Sequence, residues 1–163
     1  MLYQIFHFGG NMSSIRIVRA SLIAALYVVL CIIFQPISFG PIQVRIAEAF
    51  VVLTFLDPAF IPGIYVGALL ANIIGGLGAW DIWFGSLLTL IAGIITWKMP
   101  NEYLAPLPPI LINAFGVSAY IAPLYGVPYF FSVLWVGVGE AIATYIIGLP
   151  ILKIFKRNFY KRS

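Results

Sequence analysis

Six apolar runs separated by short polar or Pro/Gly-containing breaks follow one another along nearly the whole chain, and this succession constrains the fold more than any motif. The runs cover about Ile17–Phe34, Val44–Leu56, Ala59–Ile74, Ile82–Trp97, Leu107–Ile121 and Tyr129–Leu152. Gln35-Pro36 and Gly40-Pro41 close the first, Asp57-Pro58 turns the second into the third, and Gly75-Gly76-Leu77-Gly78 ends the third. Lys98-Met99-Pro100-Asn101-Glu102 is the most polar internal break, Pro108 and Pro109 sit where a helix's first turn tolerates proline, and Pro123 to Pro128 closes the fifth run. With 63% hydrophobic and 9% charged residues, a mean hydropathy of +1.07 and 163 residues, a soluble domain could not hide the apolar surface. At about 20 residues per span, fewer for short or tilted helices, the length admits about six crossings and no extramembrane catalytic or ATP-binding domain. The expectation is an all-α membrane protein of about six transmembrane helices, with residues 12–163 forming one substrate-binding domain and a short basic tail.

Basic residues orient it. Arg16 and Arg19 precede the first run, Lys98 follows the fourth, and Lys153, Lys156, Arg157, Lys161 and Arg162 follow the sixth. Six crossings put all of these on one side, which the positive-inside rule makes cytoplasmic, with both termini. Were the second and third runs a re-entrant hairpin, the parity would be unchanged. The net charge of +4 then reflects a cluster facing anionic lipid, and a nucleic-acid partner has little support. Cys31 is single and lies in an apolar run, so it reports no redox compartment. Residues 1–11 are too short to span and lack the pattern of a signal peptide; they read as an N-terminal extension, with Met12 as a natural start. His7, the only histidine, falls in that extension, which leaves none within the runs for a protease, metal site or proton relay.

Against this background the buried polar residues stand out. An ionised side chain costs roughly 2.5–3.5 kcal/mol at a helix centre, so it is retained with a partner or a task. Arg45 and Glu48, three apart, share a helical face and either neutralise each other or line a polar pocket. Under the six-span topology Arg45, Glu48, Asn72 and Asp81 converge toward the outer end, while Asn113 and Glu140 lie deeper. Glu140 is about 11 residues, or roughly 16 Å, into the sixth run, beside Gly137 and Gly139 and without a basic neighbour in sequence. Trp80, Trp83, Tyr120 and Trp135 lie among them. Carboxylates accept paired N–H donors, an amide offers donor and acceptor, and indole faces stack on rings, so Gln43, Arg45, Glu48, Asn72, Asp81, Trp83, Asn113 and Glu140 form a candidate pocket for a flat, hydrogen-bonding heterocycle. Asp81 and Asn72 read equally well as helix-end caps, and Trp80 and Tyr129 as interfacial anchors. No catalytic nucleophile with its base, no metal cluster and no cofactor motif can be assembled. Small residues add a second signal. Ala20 with Ala24, and Ser21 with Ala25, repeat every four residues near the cytoplasmic end of the first run, a surface fit for a partner helix; Gly63, Gly67 and Ala71 repeat likewise, as ordinary bundle packing does.

The ordered blocks GPIQVRIAEA (Gly40–Ala49), PAFIPGIYVG (Pro58–Gly67), ANIIGG (Ala71–Gly76), DIWFGSLLTLIAG (Asp81–Gly93), PLPPILINA (Pro106–Ala114), VGVGE (Val136–Glu140) and GLPIL (Gly148–Leu152) resemble the queuosine-precursor transporter (QueT) family. Its members are the small substrate-binding S components of energy-coupling-factor (ECF) transporters. The resemblance covers Ile17 to Phe155 and leaves out residues 1–11. It implies a multi-pass cell-membrane protein that captures a 7-deazaguanine queuosine precursor from outside, and that docks through Ala20, Ser21 and Ala24 on a transmembrane coupling subunit carrying two ATPase subunits. The absence of a G-x-x-x-x-G-K-[ST] run agrees, since energy must then come from a partner or a gradient. By chemistry, Glu48 or Glu140 would take the guanine-like N–H edge, and Asp81 the cation of an aminomethyl form. An S component for another small nutrient such as a vitamin, or a gradient-driven carrier using Glu140, are the alternatives.

Overall fold

The computed structural model describes residues 12–38, 45–76 and 78–159, and these residues are almost wholly helical. The 1–11 extension and Gln43 lie outside them. Helix α1 (Met12–Ile33) is followed by a single turn, Gln35–Ser38, and then by a 3-10 helix, Ile46–Phe55. Helix α2 is Phe60–Ile74; a π-helical turn, Asp81–Gly85, leads into α3 (Ser86–Trp97); α4 is Leu107–Tyr125. The final rod is α5 (Tyr129–Ala141), a π-helical stretch Ile142–Gly148, and α6 (Leu149–Phe159). Six apolar helical segments thus correspond to the six apolar runs. Three of them, Ser14–Ile33, Leu107–Tyr125 and Tyr129–Asn158, are long and apolar enough to cross a membrane, whereas Ile46–Phe55, Phe60–Ile74 and Asp81–Trp97 are shorter.

The short second segment solves its length problem by conformation. Ten residues would rise about 15 Å as an α-helix but about 20 Å as a 3-10 helix, so the tighter winding carries the chain further through the bundle. It is the innermost element: Ala47 through Thr54 are all buried. Thr54 donates to the Val51 carbonyl at 2.7 Å or the Gly93 carbonyl at 3.0 Å, satisfying its hydroxyl without water. Gly148, at the end of the second π-helical stretch, lies against this helix so closely that a Cβ there would stand 2.8 Å from the Ala49 carbonyl oxygen.

Packing between α1 and α2 is equally close. A Cβ on Gly63 would stand 2.3 Å from the Ala20 carbonyl oxygen, and one on Gly67 would stand 2.8 Å from Tyr27 Cβ and 3.2 Å from Ala24 Cα. The two small-residue stripes therefore meet each other, the close backbone approach on which helix association in lipid depends. The principal core gathers Ile23, Tyr27, Val51, Leu53, Phe60, Ile64 and Leu152; a second cluster, Val117, Tyr120, Ile121 and Val136, joins α4 to α5. Outside, the polarity of a soluble protein is inverted: Ile17, Ile33, Ile74, Phe115, Phe130, Val138 and Ile146 are exposed, a continuous apolar exterior suited to lipid.

Polar contacts mark the two ends. At one end Arg19 pairs with Asp57, and Lys156 pairs with Glu102 at 2.6 Å while Lys153 lies over the Tyr103 ring. The sixth segment therefore stays helical beyond Leu152, where the sequence suggests a polar tail, because its first lysines have partners in the 98–106 turn region. At the other end lie Arg45, Asp81 and the Gly126 turn, whose φ of +66° only glycine adopts freely.

Candidate ligand-binding site

Two linked polar layers occupy the bundle interior. The outer layer centres on Asp81. Its Oδ1 accepts from Arg45 Nη2 at 2.8 Å and from the Tyr120 hydroxyl at 2.9 Å. Asn72 fixes the turn that carries it, donating from Nδ2 to the Asp81 carbonyl at 2.7 Å and approaching Ser86 Oγ at 3.1 Å. Gly85 makes room, since a Cβ there would stand 3.0 Å from the Tyr120 hydroxyl. Arg45 and Asp81 are both buried, at 5% and 6% exposure, so this is a desolvated ion pair.

Of the two sequence readings of Arg45 and Glu48, mutual neutralisation or joint lining of a polar pocket, the first is not what the structure shows, since Arg45 pairs with Asp81. Arg45 stands just ahead of the 3-10 helix with ψ near 88°, and only its carbonyl joins the helix by accepting from the Glu48 amide at 2.9 Å. Its side chain is not on a shared helical face with Glu48 and reaches Asp81 instead. Asp81 Oδ1 is thus engaged by both a guanidinium and a phenol.

Glu48 and Glu140 form the inner layer, at 0% and 3% exposure. Glu48 Oε1 accepts from the Tyr27 hydroxyl at 2.5 Å, and Thr89 Oγ1 lies 3.0 Å away. Thr89 also faces the Gly85 carbonyl at 3.2 Å, so its one hydrogen serves either acceptor. Glu140 Oε1 accepts from Asn113 Nδ2 at 2.9 Å, and Asn113 also interacts with Glu48. The charges of Glu48 and Arg45 act on Glu140, so the three belong to one electrostatic neighbourhood. Within it, Glu48 Oε2, Glu140 Oε2, Asn113 Oδ1 and Arg45 Nε are buried without a hydrogen-bond partner. Buried polar atoms are nearly always paired, and each orphan costs about 1–3 kcal/mol, more if charged. These four orphans, three acceptors and one donor, lie on four side chains of the two polar layers.

The chain matches the sequence profile of QueT transporters over residues 17–157. It belongs to the QueT transporter family. No curated protein and no solved structure matches it. Membership makes it a member of a transporter family rather than of an enzyme family, with a queuosine precursor as the implied cargo and the membrane as its setting. Both polar layers lie within the matched span.

Of the residues expected from the sequence of this QueT family member, Arg45, Glu48, Asn72, Asp81, Asn113 and Glu140 are all buried and hydrogen-bonded in the two layers. Trp83 is not among them; at 63% exposure it lies on the outer surface of the bundle. Its neighbour Trp80 instead stacks toward Tyr120 at 6.5 Å between centroids and packs on Phe84 at 4.9 Å. These three, with Leu88, Gly116 and Leu124, line an apolar groove of about 460 Å³ beside the outer layer. Tyr27 and Thr89, the hydroxyls that hold Glu48, were not expected; the signal for Tyr27 was a lone phenol in the middle of an apolar run. Ala20 and Ala24 pack on α2 and, with the exposed Ser21 and Ala25, line an apolar groove of about 530 Å³ bordered by Pro62, Val66 and Leu70.

Proposed function

We propose that the chain is the substrate-binding S component of an ECF-type importer and takes a 7-deazaguanine queuosine precursor from outside the cell. The observation that carries this reading is the set of four buried, unpartnered polar atoms on Glu48, Asn113, Glu140 and Arg45. A guanine-like edge complements them: its ring N–H and amino group donate to a carboxylate and an amide oxygen, and its carbonyl accepts from Arg45 Nε. Hydrogen bonds to charged groups in a dry site are worth about 1.5–3 kcal/mol each, so a few suffice to hold a small, flat ligand. The chain crosses the cell membrane six times with both termini cytoplasmic. The ends carrying Arg19, Lys98, Lys153 and Lys156 then face the cytoplasm, and the Arg45–Asp81 layer faces outward above the inner carboxylates. Energy comes from a transmembrane coupling subunit with two ATPase subunits, which meets the groove at Ala20, Ser21 and Ala24.

Calorimetry on the purified protein tests the ligand. Saturable binding of 7-deazaguanines with no heat from vitamins is expected, and selective binding of a vitamin would transfer the chain to another nutrient. Uptake into vesicles lacking every ATPase, driven by an ion gradient alone, would replace the S-component reading by that of a carrier.

A further inference from the structure

The inner layer is shut. Glu48, Asn113 and Glu140 are 0%, 2% and 3% exposed, and none of the three lines either apolar groove, so reaching their unpartnered atoms requires the packing over them to open. Thr89, beside Glu48, stands about two turns along the chain from Asp81, and Asn113, beside Glu140, about two turns from Tyr120. The Arg45–Asp81–Tyr120 layer therefore lies over the inner one, and its members differ in their freedom to move. Asp81 is held at its backbone carbonyl by Asn72 at 2.7 Å and at its carboxylate by Arg45 at 2.8 Å, which fixes both ends of the ion pair. Tyr120 is held there by its hydroxyl alone, 2.9 Å from Asp81 Oδ1, while its ring forms a wall of the groove of about 460 Å³ with Trp80, Phe84 and Ala119. A cavity of about 150 Å³ already takes a benzene ring, so the groove has room for the phenol. Trp80 lies nearly parallel to it, with 16° between the planes and 6.5 Å between the centroids.

We propose that Tyr120 is the gate of the binding site: its phenol closes the outer layer in this structure and swings into the groove beside Trp80 to admit a ligand to Glu48, Asn113 and Glu140. The gate rests on the reading of those three as the ligand site and adds its moving part. Arg45 stays on Asp81 in both positions, so opening breaks one hydrogen bond and leaves the ion pair intact. A tyrosine suits either place, with its hydroxyl on a carboxylate or its ring on apolar surface near the end of the bundle. The groove then serves to receive the open gate.

Rates distinguish a gate from a structural prop. Stopped-flow fluorescence on the full-length protein, with 7-aminomethyl-7-deazaguanine as the probe, gives the association and dissociation rate constants. Tyr120→Phe lacks the bond that holds the gate shut, and both constants should rise by about tenfold. Ala119→Phe fills the groove from an exposed position away from the polar layers, and both should fall by about tenfold while Kd is unchanged, because the gate is closed in the free and the bound protein alike. Wild-type rates in Ala119→Phe, or an altered Kd carried by dissociation alone, would overturn the gate. A ligand-free measurement keeps the gate apart from the identity of the cargo. In a Cys31→Ala background, a charged methanethiosulfonate reagent should modify Thr89→Cys, in the inner layer, faster when Tyr120→Phe is added and slower when Ala119→Phe is added. Equal labelling in all three would overturn the gate whatever the protein binds. If the wild type does not bind the probe, the deazaguanine reading falls, and the labelling rates still decide the gate.

Discussion

Removing Asp81 tests the outer layer most directly. Asp81→Asn preserves shape and the backbone bond from Asn72, but leaves the guanidinium of Arg45 facing a neutral amide in a site where both side chains are below one-tenth exposed. Two unit charges about 4 Å apart attract by about 4 kcal/mol at an effective dielectric of 20. Breaking a buried pair by deleting one partner costs about 3–5 kcal/mol, because the survivor is uncompensated. For a chain of this length about 1 kcal/mol corresponds to roughly 2–4 °C, so the melting temperature of the detergent-purified variant should fall by about 6–20 °C.

The partner assignment is decided by double-mutant cycles on the same readout. If Asp81 is the partner, adding Arg45→Gln to Asp81→Asn should return part of the lost stability, with an interaction energy of about 2 kcal/mol or more. A parallel cycle of Arg45→Gln with Glu48→Gln should give a smaller coupling, since the structure gives no hydrogen bond between those side chains. Coupling that is larger to Glu48 than to Asp81, or a loss below about 1 kcal/mol for Asp81→Asn alone, would refute the pairing and return the i, i+3 reading to favour.

Three other outcomes follow from single contacts. Gly63→Ala would place its Cβ 2.3 Å from the Ala20 carbonyl oxygen, backbone that cannot swing aside, so α1 must shift and thermal stability should drop by about 1–3 kcal/mol; an unchanged melting temperature would argue against this packing. Tyr27→Phe removes the 2.5 Å hydrogen bond to Glu48, leaving the carboxylate less firmly oriented, and calorimetry should show deazaguanine binding weakened by about tenfold or more. Ser21→Trp fills the open groove beside α1 without touching the polar layers; ligand binding should persist while copurification with the coupling subunit and ATP-dependent uptake are lost, and undiminished uptake would move the docking surface elsewhere.

Which residues belong to the interior was legible in the sequence, because a charge or amide inside an apolar run is too costly to be incidental; Arg45, Glu48, Asn72, Asp81, Asn113 and Glu140 all sit in the buried layers for that reason. Their pairing was not legible, because it depends on helix geometry that composition does not encode. Three apart on an α-helix, Arg45 and Glu48 would be neighbours; a non-helical Arg45 at the mouth of a 3-10 helix, opposite a π-helical turn that begins at Asp81, makes Arg45 and Asp81 neighbours instead. The same wide turn distinguishes Trp80 from Trp83: the first approaches Tyr120, and the second points to the outer surface, although both are indoles within three residues of each other. The second π-helical stretch begins two residues after Glu140 and ends at Gly148 against the 3-10 helix. Non-α turns of this kind recur at functional sites, because widening a helix re-aims the side chains beside it without breaking the backbone hydrogen bonding that a lipid environment demands. Here they flank two of the three buried carboxylates, while the third, Glu48, rides on the 3-10 helix. Each acid is therefore positioned by a local departure from the α-helix, and that departure leaves Asp81 with a cation while Glu48 and Glu140 keep an open oxygen apiece.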